Sequence, residues 1–248
     1  MPHNGSFLAF DTSTDVMSIA LTDGARMWQH TGPGGAKASA TLIPAILALL
    51  SQAGLTLGDL EAIAFGRGPG SFTGLRTACA VAQGLAFGAR GSNGSMGIPV
   101  LPIDTLMALA EEARLQKESP HITAVLDARM DEMYVQRYAC DQGILRSLGD
   151  CELMRPEDLA IDGATLYAGN VFEVYRGRLP EGLNSLHCLP TATAMLRLAP
   201  RLAASGHGVP AAQALPLYVR DKVAMTTTER EQAKALKLQA ISSAKIDP

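Results

Sequence analysis

The chain has 248 residues, 47% of them hydrophobic and 18% charged, a balance that excludes a disordered or collagen-like protein. Lys and Arg total 21 against 24 Asp and Glu, for a formal charge of -3, so the basic excess of a dedicated nucleic-acid binder is missing. Cys79, Cys140, Cys151 and Cys188 stand far apart without a C-x-x-C pair, which speaks against a zinc ribbon or a thioredoxin-type site.

No charged n-region followed by an apolar h-region opens the chain, and the apolar run Leu42 to Leu50 is far short of the roughly 20 residues that span a bilayer. The expectation is a cytoplasmic protein with reduced thiols and no membrane contact. Phe7 to Phe10 predicts a strand ending at Asp11. Val16 to Leu21 predicts a second, closed by the turn signal Thr22-Asp23-Gly24, and Arg26 to Gln29 a third. After Gly32-Pro33-Gly34-Gly35, residues 36–53 read as a helix that is apolar over most of its circumference. Leu42, Ile46 and Leu49 form one stripe, and Ile43, Leu47 and Leu50 a second. Thr41 as N-cap would leave Pro44 in the first turn, where it is tolerated, whereas Ser39 as N-cap would put Pro44 slightly deeper at the cost of a hydrogen bond.

Glu61 to Gly66 predicts a strand, and a helix built of small residues runs to about Gly88. On it Ala78, Ala82, Leu85 and Ala86 share a face. Pro99 to Pro102 predicts a strand and Thr105 to Lys117 a helix. Ile122 to Asp127 and Glu132 to Tyr138 predict paired strands. Further strands are expected at Gly149 to Leu153, Thr165 to Gly169 and Leu215 to Val219, with a helix at Thr191 to Ala204. The tail after Thr226 is polar and is expected to be helical or disordered. Strands that start as a meander and then alternate with helices indicate a mixed α/β protein with two similar lobes. The expected division is 1–104 plus 191–225 for the first lobe and 105–190 for the second, with 226–248 as the tail.

Three segments are candidates for chemistry. Asp11-Thr12-Ser13-Thr14 offers a carboxylate and hydroxyls at a strand turn, which fits either a metal-bound phosphate or a self-bonded Asx turn. The segment from Gly66 to Arg76, with glycines at 66, 68, 70 and 74, opens a helix. It fits an anion site at the helix N-terminus or a close-packed structural turn. It has no G-K-[ST], so it is not a P-loop. Asp11, Ser13, Gly68 and Gly70 are the weak candidates for cofactor contact. Asp127-Ala128-Arg129 with Glu132 reads as an acid/base pair or as a hairpin whose charges face water. The five histidines form no i,i+3 or i,i+4 pair for a metal, and no G-x-S-x-G nucleophile elbow occurs.

Together, four segments in order resemble the TsaB (YeaZ) family. They are Leu8-Ala9-Phe10-Asp11-Thr12-Ser13-Thr14, the run from Gly66 to Arg76, Asp127-Ala128-Arg129-Met130 with Glu132 and Tyr134, and Pro216-Leu217-Tyr218-Val219-Arg220-Asp221. The second is close to diagnostic. The resemblance covers about 1–225 and implies the two-lobed actin-like, sugar-kinase-like (ribonuclease-H-like) fold. It implies a non-catalytic scaffold for the making of threonylcarbamoyladenosine in tRNAs that read codons starting with A. The implied partners are the transferase TsaD, which carries the metal on a helical histidine pair, and the ATPase TsaE. No cofactor is implied for the chain alone, with ATP or ADP belonging to the complex, and tRNA is reached only through the complex. Where TsaD's histidines would fall, this chain reads Lys37-Ala38-Ser39-Ala40-Thr41-Leu42. Two departures stand out: Ala38 where relatives often have His, and Asp131 where they often have Gly, which predicts a different hairpin turn.

The expected partner interface is Leu42, Ile46 and Leu49 of the first helix with Ala78, Ala82, Leu85 and Ala86 of the second, used for a homodimer when the chain is alone. A phosphotransferase of the sugar-kinase type, a peptidase and a nucleotide-binding regulatory module are the competing functions.

Overall fold

The computed structural model describes residues 5–90 and 97–220. A run of five apolar-to-acidic residues with no alternation belongs at the centre of a covered sheet. That is where β1 (Phe7–Asp11) lies, buried at every position. With β2 (Val16–Thr22), β3 (Met27–Pro33), β4 (Ala62–Gly68) and β5 (Val100–Asp104) it forms a sheet of order β3-β2-β1-β4-β5. The β1–β2 and β2–β3 pairs are antiparallel, whereas β4 and β5 run parallel to β1.

The second sheet repeats that plan. Strands β6 (His121–Arg129), β7 (Glu132–Asp141), β8 (Ile144–Ser147), β10 (Thr165–Gly169) and β11 (Ser185–His187) are ordered β11-β10-β6-β7-β8, and the short β9 (Glu152–Met154) pairs with β7. Again the first two pairs are antiparallel and the later strands parallel to the first.

Helices α1 (Ala38–Ala53) and α2 (Phe72–Gly88) cover one face of the first sheet, packing on Leu8, Phe10, Ile19, Ile63 and Phe65. Helix α5 (Ala192–Ala204) covers the other face, burying Met195 and Ala199 against Phe7, Ala9 and Leu101. Helix α3 (Thr105–Gln116) lies between the two sheets. Its Ala108 joins the α5 layer, and Leu106, Leu109 and Ala113 pack on the second sheet. Among the described residues, the outer face of that second sheet is covered by the four-residue α4 (Val171–Val174) and loops. Val125, Met133 and Val135 sit there beneath Leu159 and Tyr175.

Several local expectations change. Helix α1 starts at Ala38 with Lys37 as its N-cap and no side-chain cap, because a 3₁₀ turn at Gly35–Lys37 already winds the chain. Pro44 therefore sits inside the helix, and the carbonyl it leaves unpaired, that of Ala40, is on the exposed side. Counted with its 3₁₀ turn, Gly35–Ala53 is long and apolar enough to cross a membrane, but its Ala38–Leu42–Ile46–Leu49 stripe lies on the sheet. The strand expected at Leu215 to Val219 joins no sheet among the described residues; its link to β4 is the single bond from Leu217 N to the Arg67 carbonyl. Asp221 and the tail from 226 lie outside the described residues.

The expected interface needs correcting. Leu42, Ile46, Ala78, Ala82 and Ala86 are wholly buried and Leu49 nearly so, all inside the chain's own core, with Leu85 packed against them. A helix on a sheet first spends its apolar stripe on that sheet, so these side chains are not surface. The outward faces of α1 and α2 present Ile43, Leu47 and Phe87 instead.

Candidate functional site

The turn after β1 is shaped by Asp11. Its Oδ1 accepts hydrogen bonds from Ser13 N and Oγ at 2.8 and 2.6 Å, and its Oδ2 accepts one from Thr105 Oγ1 at 3.3 Å. The Ser13 amide bond is the Asx turn, so of the two readings of this segment the self-bonded one is realised. Burial pushes the Asp11 carboxyl up from its usual range, and the Ser13 and Thr105 bonds offset part of that rise.

The glycine segment packs directly on this turn. Ser71 N donates to the Ser13 carbonyl at 2.7 Å, and Thr12 Oγ1 donates to the Gly74 carbonyl at the same distance. A Cβ at Gly70 would lie 2.6 Å from Ser13 Cβ, and one at Gly66 would overlap the Asp11 carboxylate. Gly70 also holds φ 158°, a region open to glycine. The backbone at Gly66 and Gly70 thus closes over Asp11 and packs on Ser13, and Gly68 is closed off by the Leu217 carbonyl.

The corresponding carboxylate of the second sheet is Asp127, near the end of β6. It accepts from the Tyr175 hydroxyl at 2.7 Å and from Arg129 N at 2.9 Å, and pairs with Arg129 Nη1 at 3.1 Å. Burial, then the Asp127 carboxylate, drives the Tyr175 hydroxyl far up, so it remains a donor. The β6–β7 hairpin turns through Arg129, Met130 and Asp131 at φ 61°, 55° and 62°. Asp131 therefore holds the left-handed conformation that glycine would have given, and its carboxylate is gripped by Arg178 at 2.9 Å.

Between the two turns lies a cleft of about 370 Å³. With each sheet and the helices packed on it taken as a lobe, the first supplies Ser13 to Asp15 and the 70–73 loop, the second supplies Leu126 to Met130 with Tyr134 and Asn170, and residues 217–220 close the side. Arg129 reaches Asp15 across it at 3.2 Å. Asp127 and Glu132 do not converge as an acid/base pair: Asp127 is held by Tyr175 and Arg129, and Glu132 by Arg220 at 2.7 Å. Among the described residues no three His, Cys, Asp or Glu side chains gather to hold a metal ion. The residue set at 37–42 likewise lacks the imidazoles a transferase metal would need.

A family profile described as TsaD: tRNA N6-adenosine threonylcarbamoyltransferase matches residues 33–237. The tRNA threonylcarbamoyladenosine biosynthesis protein TsaB of Escherichia coli is 31% identical over 227 residues, which cover 88% of this chain and 95% of that protein. The chain belongs to the TsaB family. The TsaB of Haemophilus influenzae is 33% identical over 233 residues, 89% of this chain and 95% of that one. A solved structure, YeaZ from Pseudomonas aeruginosa, matches with a TM-score of 0.78 at 39% identity, over 87% of this chain and 100% of its own. With two sheets of one strand order, this is the actin-like α/β fold of TsaB proteins, and the pathway is the biosynthesis of threonylcarbamoyladenosine in tRNA.

The Tyr175–Asp127 bond is not legible in the sequence, because Tyr175 caps the C-terminus of a four-residue helix after β10 that no periodicity announces. Arg178, which grips Asp131, was equally hidden.

Proposed function

We propose that the chain is a non-catalytic scaffold subunit for threonylcarbamoyl transfer to tRNA adenosine, acting with a metal-bearing transferase of the TsaD type and an ATPase of the TsaE type. The observation that carries this reading is the outward face of α1 and α2. Ile43, Leu47 and Phe87 are 42%, 52% and 74% exposed there, on two neighbouring helices whose inner stripes are already used. Large apolar side chains left exposed on a pair of packed helices favour a partner site. The same face serves a homodimer when the partner is absent, since a two-fold contact lets one patch cover itself. Support for the non-catalytic part comes from chemistry that is spoken for. Asp11 is wholly buried and saturated by Ser13 and Thr105, and the turn beside it is filled by backbone. ATP or ADP then belongs to the assembled complex, tRNA is reached through the partner, and the working compartment is the cytoplasm.

The test is a pair of variants on one helix. Phe87→Arg leaves the circular dichroism and melting temperature of the chain unchanged and abolishes retention of the transferase in a pull-down. Ala82→Arg puts a charge into the core at a cost of several kcal/mol and unfolds the chain. A folded Phe87→Arg, Leu47→Asp double variant that still retains the transferase and still supports the modification in a reconstituted reaction overturns the assignment. Titration calorimetry with ATP on the isolated chain addresses the rival reading, a nucleotide-binding regulatory module, which requires saturable binding that Asp11→Asn weakens.

A further inference from the structure

Residues 214–220 pair with no strand, yet they are tied down almost residue by residue. The Ala214 carbonyl accepts from Gln83 Nε2 at 2.8 Å and from Cys79 Sγ at 3.2 Å, both on α2. Leu217 N donates to the Arg67 carbonyl at 2.7 Å, and the Leu217 carbonyl lies so close to Gly68 that a Cβ there would approach it to 2.6 Å. The Tyr218 ring sits 5.3 Å from that of Phe72, and its hydroxyl accepts from Arg76 Nε at 3.1 Å. All of these contacts are with the first lobe.

The next two residues change sides. Val219 packs against the core of the second lobe. Arg220 Nη2 donates to the Ala128 and Arg129 carbonyls at 3.1 and 3.2 Å and pairs with Glu132 at 2.7 Å. Only 14% of the Arg220 side chain is exposed, against 72% and 87% for Arg129 and Asp15, the direct ion pair across the cleft mouth. A planar guanidinium that gathers two carbonyls and a carboxylate while shielded from water is the stronger tie. The exposed pair is screened and weak.

We propose that residues 214–220 are an interlobe strap and that Arg220 is its clasp. The strap fixes the width of the cleft, one wall of which it forms with Leu217, Tyr218 and Val219. Releasing Arg220 from the hairpin lets the lobes part and exposes Leu126 and more of Leu217 to solutes.

Hydrogen exchange on the full chain tests this in two places at once, residues 66–76 of the first lobe and 127–134 of the second. Arg220→Ala is expected to speed exchange in both by about tenfold, the loss of one charge-assisted tie. Arg220→Lys, with one point charge for the fork, should fall between. Binding of an apolar dye such as anilinonaphthalene sulfonate is expected to rise about twofold. Faster exchange confined to 127–134 would mean that Arg220 only caps the hairpin, and the strap is then wrong. Unchanged exchange in both segments overturns it as well. If Arg220→Ala loses its circular dichroism, Glu132→Gln takes its place, because it removes one contact and leaves the guanidinium. It should speed exchange in both segments to a smaller extent, and no change there rejects the clasp.

Discussion

Each lobe ends its first strand at or near an aspartate, and the two lobes treat that residue in opposite ways. In the first, Asp11 is sealed under the glycine loop and bonded to the hydroxyls of Ser13 and Thr105. In the second, Asp127 lines the cleft, and the turn beyond it is stretched through three left-handed residues and gripped by arginines. Their surroundings differ in the same sense. The first sheet has helices on both faces, and the second has a helix on one and loops on the other. A repeated strand order therefore does not repeat a site. What stands over the turn decides whether a buried carboxylate is sealed inside the core or borders a cleft.

The widest contrast should appear on truncating buried side chains. Phe10→Ala, in the doubly covered lobe, should cost about 3–5 kcal/mol in urea unfolding, whereas Leu159→Ala, in a covering loop that can settle, should stay near the lower end at about 2 kcal/mol. Equal losses would mean that the loop-covered face packs as rigidly as the helical one.

Asp11→Ala comes next. It leaves Ser13 and Thr105 without their acceptor in a dry site, for about 2–3 kcal/mol. Asp11→Asn keeps an acceptor toward Ser13 and should lose less than about 1 kcal/mol at neutral pH. The pH dependence has a definite sign. Because the folded carboxyl titrates above its unfolded value, Asp11 binds its proton more tightly in the fold. Its contribution to stability then falls as pH rises from the unfolded pKa through the raised folded one. The asparagine variant should therefore gain on the parent across that window and run parallel to it above.

Glu112 gives the opposite slope. Burial pushes it up, but bonds from Thr191, Gln116 and Arg197 outweigh burial and hold it below its usual range. Glu112→Gln should cost about 1 kcal/mol at neutral pH and nothing below the folded pKa, where the parent's carboxylate is protonated.

The smallest effects belong to the hairpin. Met130→Asn, which tolerates positive φ better, should stabilise by a few tenths of a kcal/mol up to about 1. Asp15→Ala should change stability by less than about 0.5 kcal/mol, because its pair with Arg129 is in water.

The fold was legible where pattern and structure share a cause. The unbroken apolar run Phe7 to Phe10 demanded a covered strand, and the turn signal at Thr22-Asp23-Gly24 demanded a hairpin. The glycine segment was legible as a strand-to-helix turn, and its spacing alone left open whether an anion or another backbone came close. The faces of α1 and α2 were misread for a reason of the same kind. Both stripes of α1 are apolar, and sequence does not say which one the sheet takes. The strap was read as a strand because Leu215 to Val219 is apolar and extended. Its ties run to carbonyls and to Phe72 more than 140 positions away, which no local period encodes.

Helix α5 has one more consequence, for the order in which the chain is made. It closes the face of the first sheet formed by Phe7, Ala9, Leu101 and Ile103, yet it is synthesised about a hundred residues after β5. At roughly 5–20 residues per second, that face stays open for about 5–20 s on the ribosome. A fragment ending at Asp104 should therefore be insoluble. The first lobe is finished last, after the whole of the second has emerged.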